Sequence, residues 1–261
     1  MEKSNIAPPL RYPGSKYRAY KYIRQFIIEH DEYREPFCGS GAVFFQKELS
    51  KISWLNDKDP NLMNFYKIIQ NKNFAQRLAD ESSMVEPSKE YFNDLKYKVF
   101  DNNYEKALQY FVINRTAYSG IMNLPNWGFH KVKSVQPRKW AERILKASDK
   151  LQNVILTSFD YEQVIFSPAK GKKVLLFIDP PYYKADQKRA YVESFEEKDH
   201  IRLAENLKKV KFDFILTYDD CKEVRSLYSW ANINPVEFMY HTANSKVTTR
   251  KKGKELIITN F

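Results

Sequence analysis

Asp179-Pro180-Pro181-Tyr182 is the segment of this chain best equipped for chemistry. It follows an apolar run, Val174-Leu175-Leu176-Phe177-Ile178, that reads as a buried parallel strand. The two prolines fix φ and remove two backbone donors, so nearby carbonyls stay free to accept hydrogens. The Asp179 carboxylate is a charged acceptor, and the Tyr182 ring offers a face for stacking. Together they suit a planar exocyclic amine, such as the amino group of adenine, that is to take a methyl group. The bland alternative is a strand ending in a proline turn with a solvated aspartate.

Two further stretches could hold a ligand. Glu35-Pro36-Phe37-Cys38-Gly39-Ser40-Gly41 continues a short strand signal that opens at Tyr33-Arg34, and it precedes Ala42-Val43-Phe44-Phe45. Glycines in a strand-to-helix turn let the backbone approach a ligand at the carboxyl end of a strand. The turn is no Walker A loop, because no Gly-Lys-Ser/Thr follows, and it lacks the third glycine of a dinucleotide fingerprint. Asp57 ends a second strand signal, Ile52 to Asp57. There a carboxylate can accept from both hydroxyls of a ribose, or it can cap the next helix.

These residues need a frame. The turn-rich segment 6–16 leads into a helix predicted over Tyr17 to His30, with Tyr20, Ile23, Phe26 and Ile27 on one face. Tyr33 to Phe37 reads as the first strand, and a helix through Tyr66 and Ile69 follows Lys58-Asp59-Pro60. From about Asn61 to Asn153 the pattern is helical but polar and basic, with a hairpin or long loop near 118–138. Strand signals return at Val154 to Thr157, 174–179 and Phe212 to Thr217, with a helix over Lys198 to Lys209. Val236 to His241 and Glu255 to Phe261 read as a terminal antiparallel hairpin around the basic stretch Lys246 to Lys254. Alternating βα units closed by a hairpin imply a mostly parallel sheet with an antiparallel edge.

The net charge of +11 points to a polyanionic partner, and aromatic residues at 15% suit stacking on bases beside phosphate contacts. Hydrophobic residues at 43% suffice for a sizeable core. Cys38 and Cys221 lie far apart without metal spacing, which tells against a zinc site or a disulfide framework. His30, His130, His200 and His241 are scattered and read as ordinary surface or core histidines. The start Met1-Glu2-Lys3-Ser4-Asn5 carries no apolar h-region, and no stretch approaches membrane-spanning length, so the cytoplasm is the default expectation.

Taken in order, these segments carry a resemblance. Tyr12-Pro13-Gly14-Ser15-Lys16 precedes the intact Glu-Pro-Phe-x-Gly-x-Gly turn at 35–41. Asn114-Arg115-Thr116-Ala117-Tyr118-Ser119-Gly120 follows, then Asp179 to Tyr182, then Thr249 to Lys252 with Glu255-Leu256. Over nearly its whole length the chain resembles the Dam-like DNA adenine-N6 methyltransferases. The resemblance implies an α/β fold with a Rossmann-like class I methyltransferase sheet. Residues 1–60 and 154–261 would form the catalytic domain, and 61–153 a mainly helical target-recognition subdomain. It implies S-adenosyl-L-methionine as cofactor, contacted by Tyr12, Lys16, Asp57 and Asp179. Glu35, Phe37, Gly39 and Gly41 would line its methionine pocket, and Asp160 would meet its adenine. Asp179, Pro180, Pro181 and Tyr182 would carry catalysis, without a metal.

The implied partner is double-stranded DNA, from which the target adenine is flipped, in a restriction-modification setting. Arg11, Arg115 and Tyr118 match residues near the DNA, with Tyr118 as a wedge between bases. Arg138 belongs to a basic group with Lys131, Lys133 and Lys139 beside the recognition loop. The segment from Gly120 to Trp140 departs most from the family pattern, so no target sequence is carried over. An RNA adenine-N6 methyltransferase and a catalytically silent DNA-binding protein with the same fold are the alternatives.

Overall fold

A computed structural model of the chain describes residues 6–184, 195–239 and 252–261. Seven strands form one sheet: β1 (Glu32–Glu35), β2 (Ile52–Asn56), β3 (Ile155–Thr157), β4 (Val174–Ile178), β5 (Asp213–Asp219), β6 (Asn232–Met239) and β7 (Lys252–Thr259). Their order is β3-β2-β1-β4-β5-β7-β6. The first five are parallel, and β7 runs antiparallel to both β5 and β6. The expected mostly parallel, Rossmann-like sheet with an antiparallel edge is therefore present. Order reverses between β1 and β4, the switch point beyond whose carboxyl ends such sheets bind ligands.

Both faces of the central strands are buried, which is why they read as unbroken apolar runs. Leu175 and Phe177 of β4, Ile215 of β5 and Ile257 of β7 join one buried cluster. Their neighbours Val174, Leu176, Ile178, Phe214, Leu216, Leu256 and Ile258 join the other. The second cluster is completed by α8 (Tyr161–Ile165), α9 (Glu197–Lys209) and α10 (Lys222–Leu227), the last three described helices in chain order.

The first cluster continues without a break into five helices between β2 and β3: α3 (Pro60–Gln70), α4 (Lys72–Ser83), α5 (Lys89–Tyr97), α6 (Asn103–Thr116) and α7 (Trp140–Lys150). Four of them start on a side chain that accepts backbone N–H groups: Asp59, Asn71, Ser88 and Asn102. Asp59, followed by Pro60 in the first turn, caps α3, so the capping role considered for Asp57 falls two residues later.

Two expectations need correction. The helix over Tyr17 to His30 shrinks to α1 (Tyr20–Ile23) and a 3₁₀ turn, Arg24–Phe26. Its start has no side-chain cap, and Ile27 is already extended at ψ 101°. Tyr20, Tyr22, Phe26, Ile27 and Ile28 all pack on the core, which a single helical stripe could not achieve. Of the hairpin or long loop expected near 118–138, the structure has the long loop, with one antiparallel bridge from Ala117 to Trp127. The terminal pair of strands begins earlier than expected, at Asn232 and Lys252. Residues 240–251, with His241 and Thr249-Arg250-Lys251 of the basic stretch, lie outside the described residues, as do residues 1–5. Helices α2 (Ala42–Gln46) and α9 fall where expected, α9 one residue early on a capping box of Glu196 and Asp199.

β1 carries a buried ion pair of Glu32 and Arg34, both fully enclosed, with N–O distances of 2.7 and 2.8 Å. Arg34 also donates to the carbonyls of Val164, Ser167 and Pro168, while Glu32 accepts from the amides of Lys170 and Gly171. The pair thus ties the α8–β4 connection to the first strand. Replacing Arg34 with Met would strand the Glu32 carboxylate, an error that costs about 3–5 kcal/mol. Urea denaturation of Arg34→Met is expected to show a loss of that size, with the slope of the transition unchanged.

Candidate active site

The carboxyl ends of β1, β2 and β3 are stitched together by one side chain, Asn56, which is fully buried. Its amide nitrogen donates to the carbonyls of Pro36 (2.9 Å) and Phe159 (3.0 Å). Its oxygen accepts from Thr157 Oγ1 (2.7 Å) and the Phe159 amide (2.8 Å). An asparagine at a strand end is the sequence signal, but its partners lie 20 and about a hundred residues away, and sequence reasoning missed it. Asp57, the next residue, receives the Gly39 N–H on Oδ2 (2.9 Å) and the Asp59 N–H on Oδ1 (3.1 Å).

Gly39 has φ +47°, and a Cβ there would come 3.0 Å from the Tyr12 ring. Its requirement for glycine thus has a protein cause: the ring of Tyr12 closes over the turn. The segment bearing Tyr12 is clasped to the rest of the protein at two points. Ser15 Oγ meets Ser40 Oγ at 3.0 Å. The Asn114 side chain bonds both the N–H (2.8 Å) and the C=O (2.7 Å) of Arg11, pairing like a strand residue. Gly120, at φ +71°, packs so close that a Cβ would lie 2.5 Å from Arg11 Cβ. The Asn114–Gly120 motif therefore builds the joint between the N-terminal segment and α6.

These pieces line an open cleft of about 1110 Å³, adjoining solvent included, on the carboxyl side of the switch point. Tyr12, Lys16, Glu35, Phe37, Gly39, Asp57, Asp160, Asp179 and Pro181 all line it. Gly41, Pro180 and Tyr182 do not belong to its wall; Gly41 starts α2 at φ +62°, and Pro180 is buried. At one end Phe37 stacks on Tyr161 (centroids 5.2 Å) and meets Phe195 edge-on. Asp160 caps α8 and pairs with Arg202 at 3.0 Å, and Arg202 also receives no help from sequence motifs. Glu35, also on the wall, is completely buried and accepts from Tyr33 Oη (2.7 Å) and the Phe44 amide (2.8 Å). Burial pushes its carboxyl up to about 8, against those two hydrogen bonds.

Asp179 lines the same cavity. Its Oδ1 meets Lys16 Nζ at 2.8 Å and Thr217 Oγ1 at 2.6 Å. The Lys16 ammonium also donates to the Gly14 carbonyl and sits 4.6 Å over the Tyr182 ring. Tyr182 Oη donates to Glu255 Oε2 at 2.7 Å. A cation thus lies between a carboxylate and an aromatic face, the place a developing positive charge would occupy.

The residues expected near DNA divide. Tyr118 is exposed at 41%, its backbone held by the Asn126 carbonyl, so its ring is not core packing. Arg138, Lys131, Lys133 and Lys139 are exposed along the same loop. Arg11 is half-buried and donates to the Ala117 carbonyl. Arg115 is buried, with Nη1 3.5 Å from the Pro9 carbonyl. Desolvation, with Arg143 and Arg11 nearby, lowers its pKa to about 9. Among the described residues no three His, Cys, Asp or Glu side chains gather as a metal site, and no helix is long and apolar enough to cross a membrane.

The profile of the D12 class N6 adenine-specific DNA methyltransferases matches residues 12–242, from the Tyr12 segment past the Asp-Pro-Pro-Tyr tetrad. The chain belongs to this family. A type II methyltransferase, M1.LlaDCHI of Lactococcus lactis subsp. cremoris, is 27% identical across 99% of this chain and 97% of its own length. A DNA adenine methylase of Vibrio cholerae is 23% identical across 95% and 92%. Among solved structures, an rRNA methyltransferase, aviRa of Streptomyces viridochromogenes, aligns over 100% of this chain and 93% of its own at 13% identity and a TM-score of 0.40, too slight a likeness to build on.

The Glu35 carboxyl makes a prediction that does not require activity. Folded, it holds its proton to about pH 8; unfolded, it releases it near 4.5. Between those values the folded state binds more protons, so stability falls as pH rises and levels off above about 8. Glu35→Gln keeps an acceptor for Tyr33 and Phe44 but cannot ionise. Denaturation at pH 5.5 and pH 8.5 is expected to show the wild type losing on the order of 2–4 kcal/mol relative to the variant.

Proposed function

We propose that this methyltransferase acts on specific sites in double-stranded DNA, taking its methyl group from S-adenosyl-L-methionine and transferring it to the N6 of an adenine turned out of the helix. The observation that carries the reading is the arrangement at the end of β4: an acceptor carboxylate, a stacking ring, and an amine already lying between them. The cavity fits the cofactor in its chemistry. Glu35 offers a buried carboxyl to an amino-acid ammonium, Asp57 places a carboxylate on the wall as an acceptor for a ribose, and Phe37, Tyr161 and Phe195 with Asp160 suit a purine. Bound there, the cofactor supplies an electrophilic sulfonium methyl group.

The chain's own residues do the rest. Adenine N6 is a poor nucleophile because its lone pair is delocalised into the ring. Asp179 and the Pro180 carbonyl accept its two hydrogens, draw the nitrogen toward tetrahedral geometry and stabilise the charge that develops. With the Thr217 hydroxyl on Oδ1, the oxygen that receives the amine is Oδ2. Tyr182 stacks on the extruded base, a contact worth roughly 1–3 kcal/mol against an extrusion cost of a few. Residues 61–153 serve as the target-recognition part, although their core is continuous with that of the sheet. The exposed Lys131, Lys133, Arg138 and Lys139 supply phosphate contacts, and Tyr118 wedges the duplex. The type II name of the lactococcal relative supports a restriction-modification setting.

The test is transfer of labelled methyl from S-adenosyl-L-methionine to duplex DNA and, in parallel, to RNA of the same sequence, followed by digestion to nucleosides. Label is expected in N6-methyldeoxyadenosine; label confined to RNA, or in another base, overturns the proposal. Asp179→Ala is expected to lower the transfer rate by about two to three orders of magnitude with its thermal stability retained. Tyr118→Ala is expected to slow transfer to duplex DNA more than to an unpaired adenine, because an unstacked base needs less help to leave. Rates on paired and unpaired targets, compared for the same variant, measure that difference.

A further inference from the structure

The two working side chains of the tetrad are both held from the antiparallel edge of the sheet. Thr217 of β5 is fully buried, and its hydroxyl donates to Asp179 Oδ1 at 2.6 Å. Glu255 of β7 is 3% exposed, and its Oε2 accepts the Tyr182 hydroxyl at 2.7 Å. Between them, Asp219 of β5 stands directly opposite Glu255 in the ladder. The Asp219 carboxylate takes the backbone N–H groups of Tyr183 and Lys184, both at 2.8 Å. Tyr218 packs against the Tyr182 ring at 5.9 Å between centroids. Every residue from Asp179 to Lys184 with a polar contact to this edge is therefore fixed by a strand and not by a loop.

Glu255 is the informative member. A carboxylate buried in a β-sheet is costly unless it is well bonded. Burial raises its pKa, against the nearby Lys16 and the Tyr182 hydroxyl. A leucine would fill the site at lower cost if packing were the whole requirement. What the carboxylate adds is a directed bond to the tip of one ring.

We propose that Thr217 and Glu255 are positioning residues for methyl transfer: Thr217 orients the Asp179 carboxylate so that Oδ2 meets the amine, and Glu255 fixes the plane of the Tyr182 ring on which the base stacks. The proposal rests on the roles given above to Asp179 and Tyr182. Thr217 and Glu255 act through these residues and do not touch the substrate. Removing either hydrogen bond leaves the machinery present but loosely aimed, which lowers the rate of the chemical step and spares cofactor binding.

The experiment is single-turnover transfer to duplex DNA at saturating S-adenosyl-L-methionine, with cofactor affinity and thermal unfolding measured alongside. Thr217→Val, nearly isosteric, is expected to slow transfer about 10- to 100-fold, and Thr217→Ser to return most of the rate. Glu255→Leu is expected to slow it about tenfold, and Glu255→Gln, which still accepts from the phenol, to restore it. Tyr182→Phe deletes the same bond from the other side, so it should match Glu255→Leu, and the double variant should be no slower than either alone. It also carries the test if Glu255→Leu does not fold. Wild-type rates in Thr217→Val and Tyr182→Phe, with Asp179→Ala and Tyr182→Ala inactive, overturn the positioning roles and leave the catalytic reading standing. Equal losses in Glu255→Gln and Glu255→Leu, or losses that track cofactor affinity, overturn them as well. Full activity in Asp179→Ala overturns the catalytic reading itself.

Discussion

A carboxylate partly withdrawn from water must be answered by other charges or donors, and at the carboxyl end of β4 that carboxylate is Asp179. It is answered from two sides, by Lys16 from the N-terminal segment and by Thr217 from β5. The Lys16 contact forces residues 11–16 to cross the carboxyl end of the sheet, and much of the surrounding architecture serves that crossing. Asn114 binds the Arg11 backbone, Ser40 meets Ser15, and Gly39 leaves room for Tyr12. The cavity wall on that side is a consequence of neutralising one acid. Because Coulomb attraction strengthens as water is excluded, the closer the segment lies, the more firmly it holds.

Much of this frame was legible in the residues themselves. Buried parallel strands announce themselves as apolar runs, and Val174 to Ile178 and Phe214 to Leu216 were of that kind. The tetrad, the glycine turn and Asp57 all stand at strand ends, where a ligand cavity of a parallel sheet must form, and the cavity is there. Helix starts were legible in principle through Asp59, Asn71, Ser88 and Asn102, since each is a short polar side chain able to hold the first free amides.

What was not legible depends on distance along the chain. Asn56 bonds residues 20 and about a hundred positions away, and nothing local marks it. The Glu32–Arg34 pair looks like an ordinary exposed strand face until the connection after α8 is folded over it. Arg115 carries the residue type expected of a phosphate contact, yet burial is set by α7 and the N-terminal segment, which its own neighbours in sequence do not reveal. The N-terminal helix failed for a related reason: its apolar residues satisfy several core contacts in different directions, and tertiary packing outweighed periodicity.

The ammonium of Lys16 sets a condition on whatever replaces it. Lodged between the Asp179 carboxylate and the Tyr182 ring, it leaves no empty slot to be filled; an incoming group enters by exchange. To compensate the acid it uncovers, that group must bring N–H donors and tolerate positive charge. The exocyclic amine of adenine does both. The O6 of guanine and the O4 of thymine present lone pairs to a carboxylate and are repelled by it. In the proposed reaction, discrimination among extruded bases follows from which of them are able to relieve a lysine of its post.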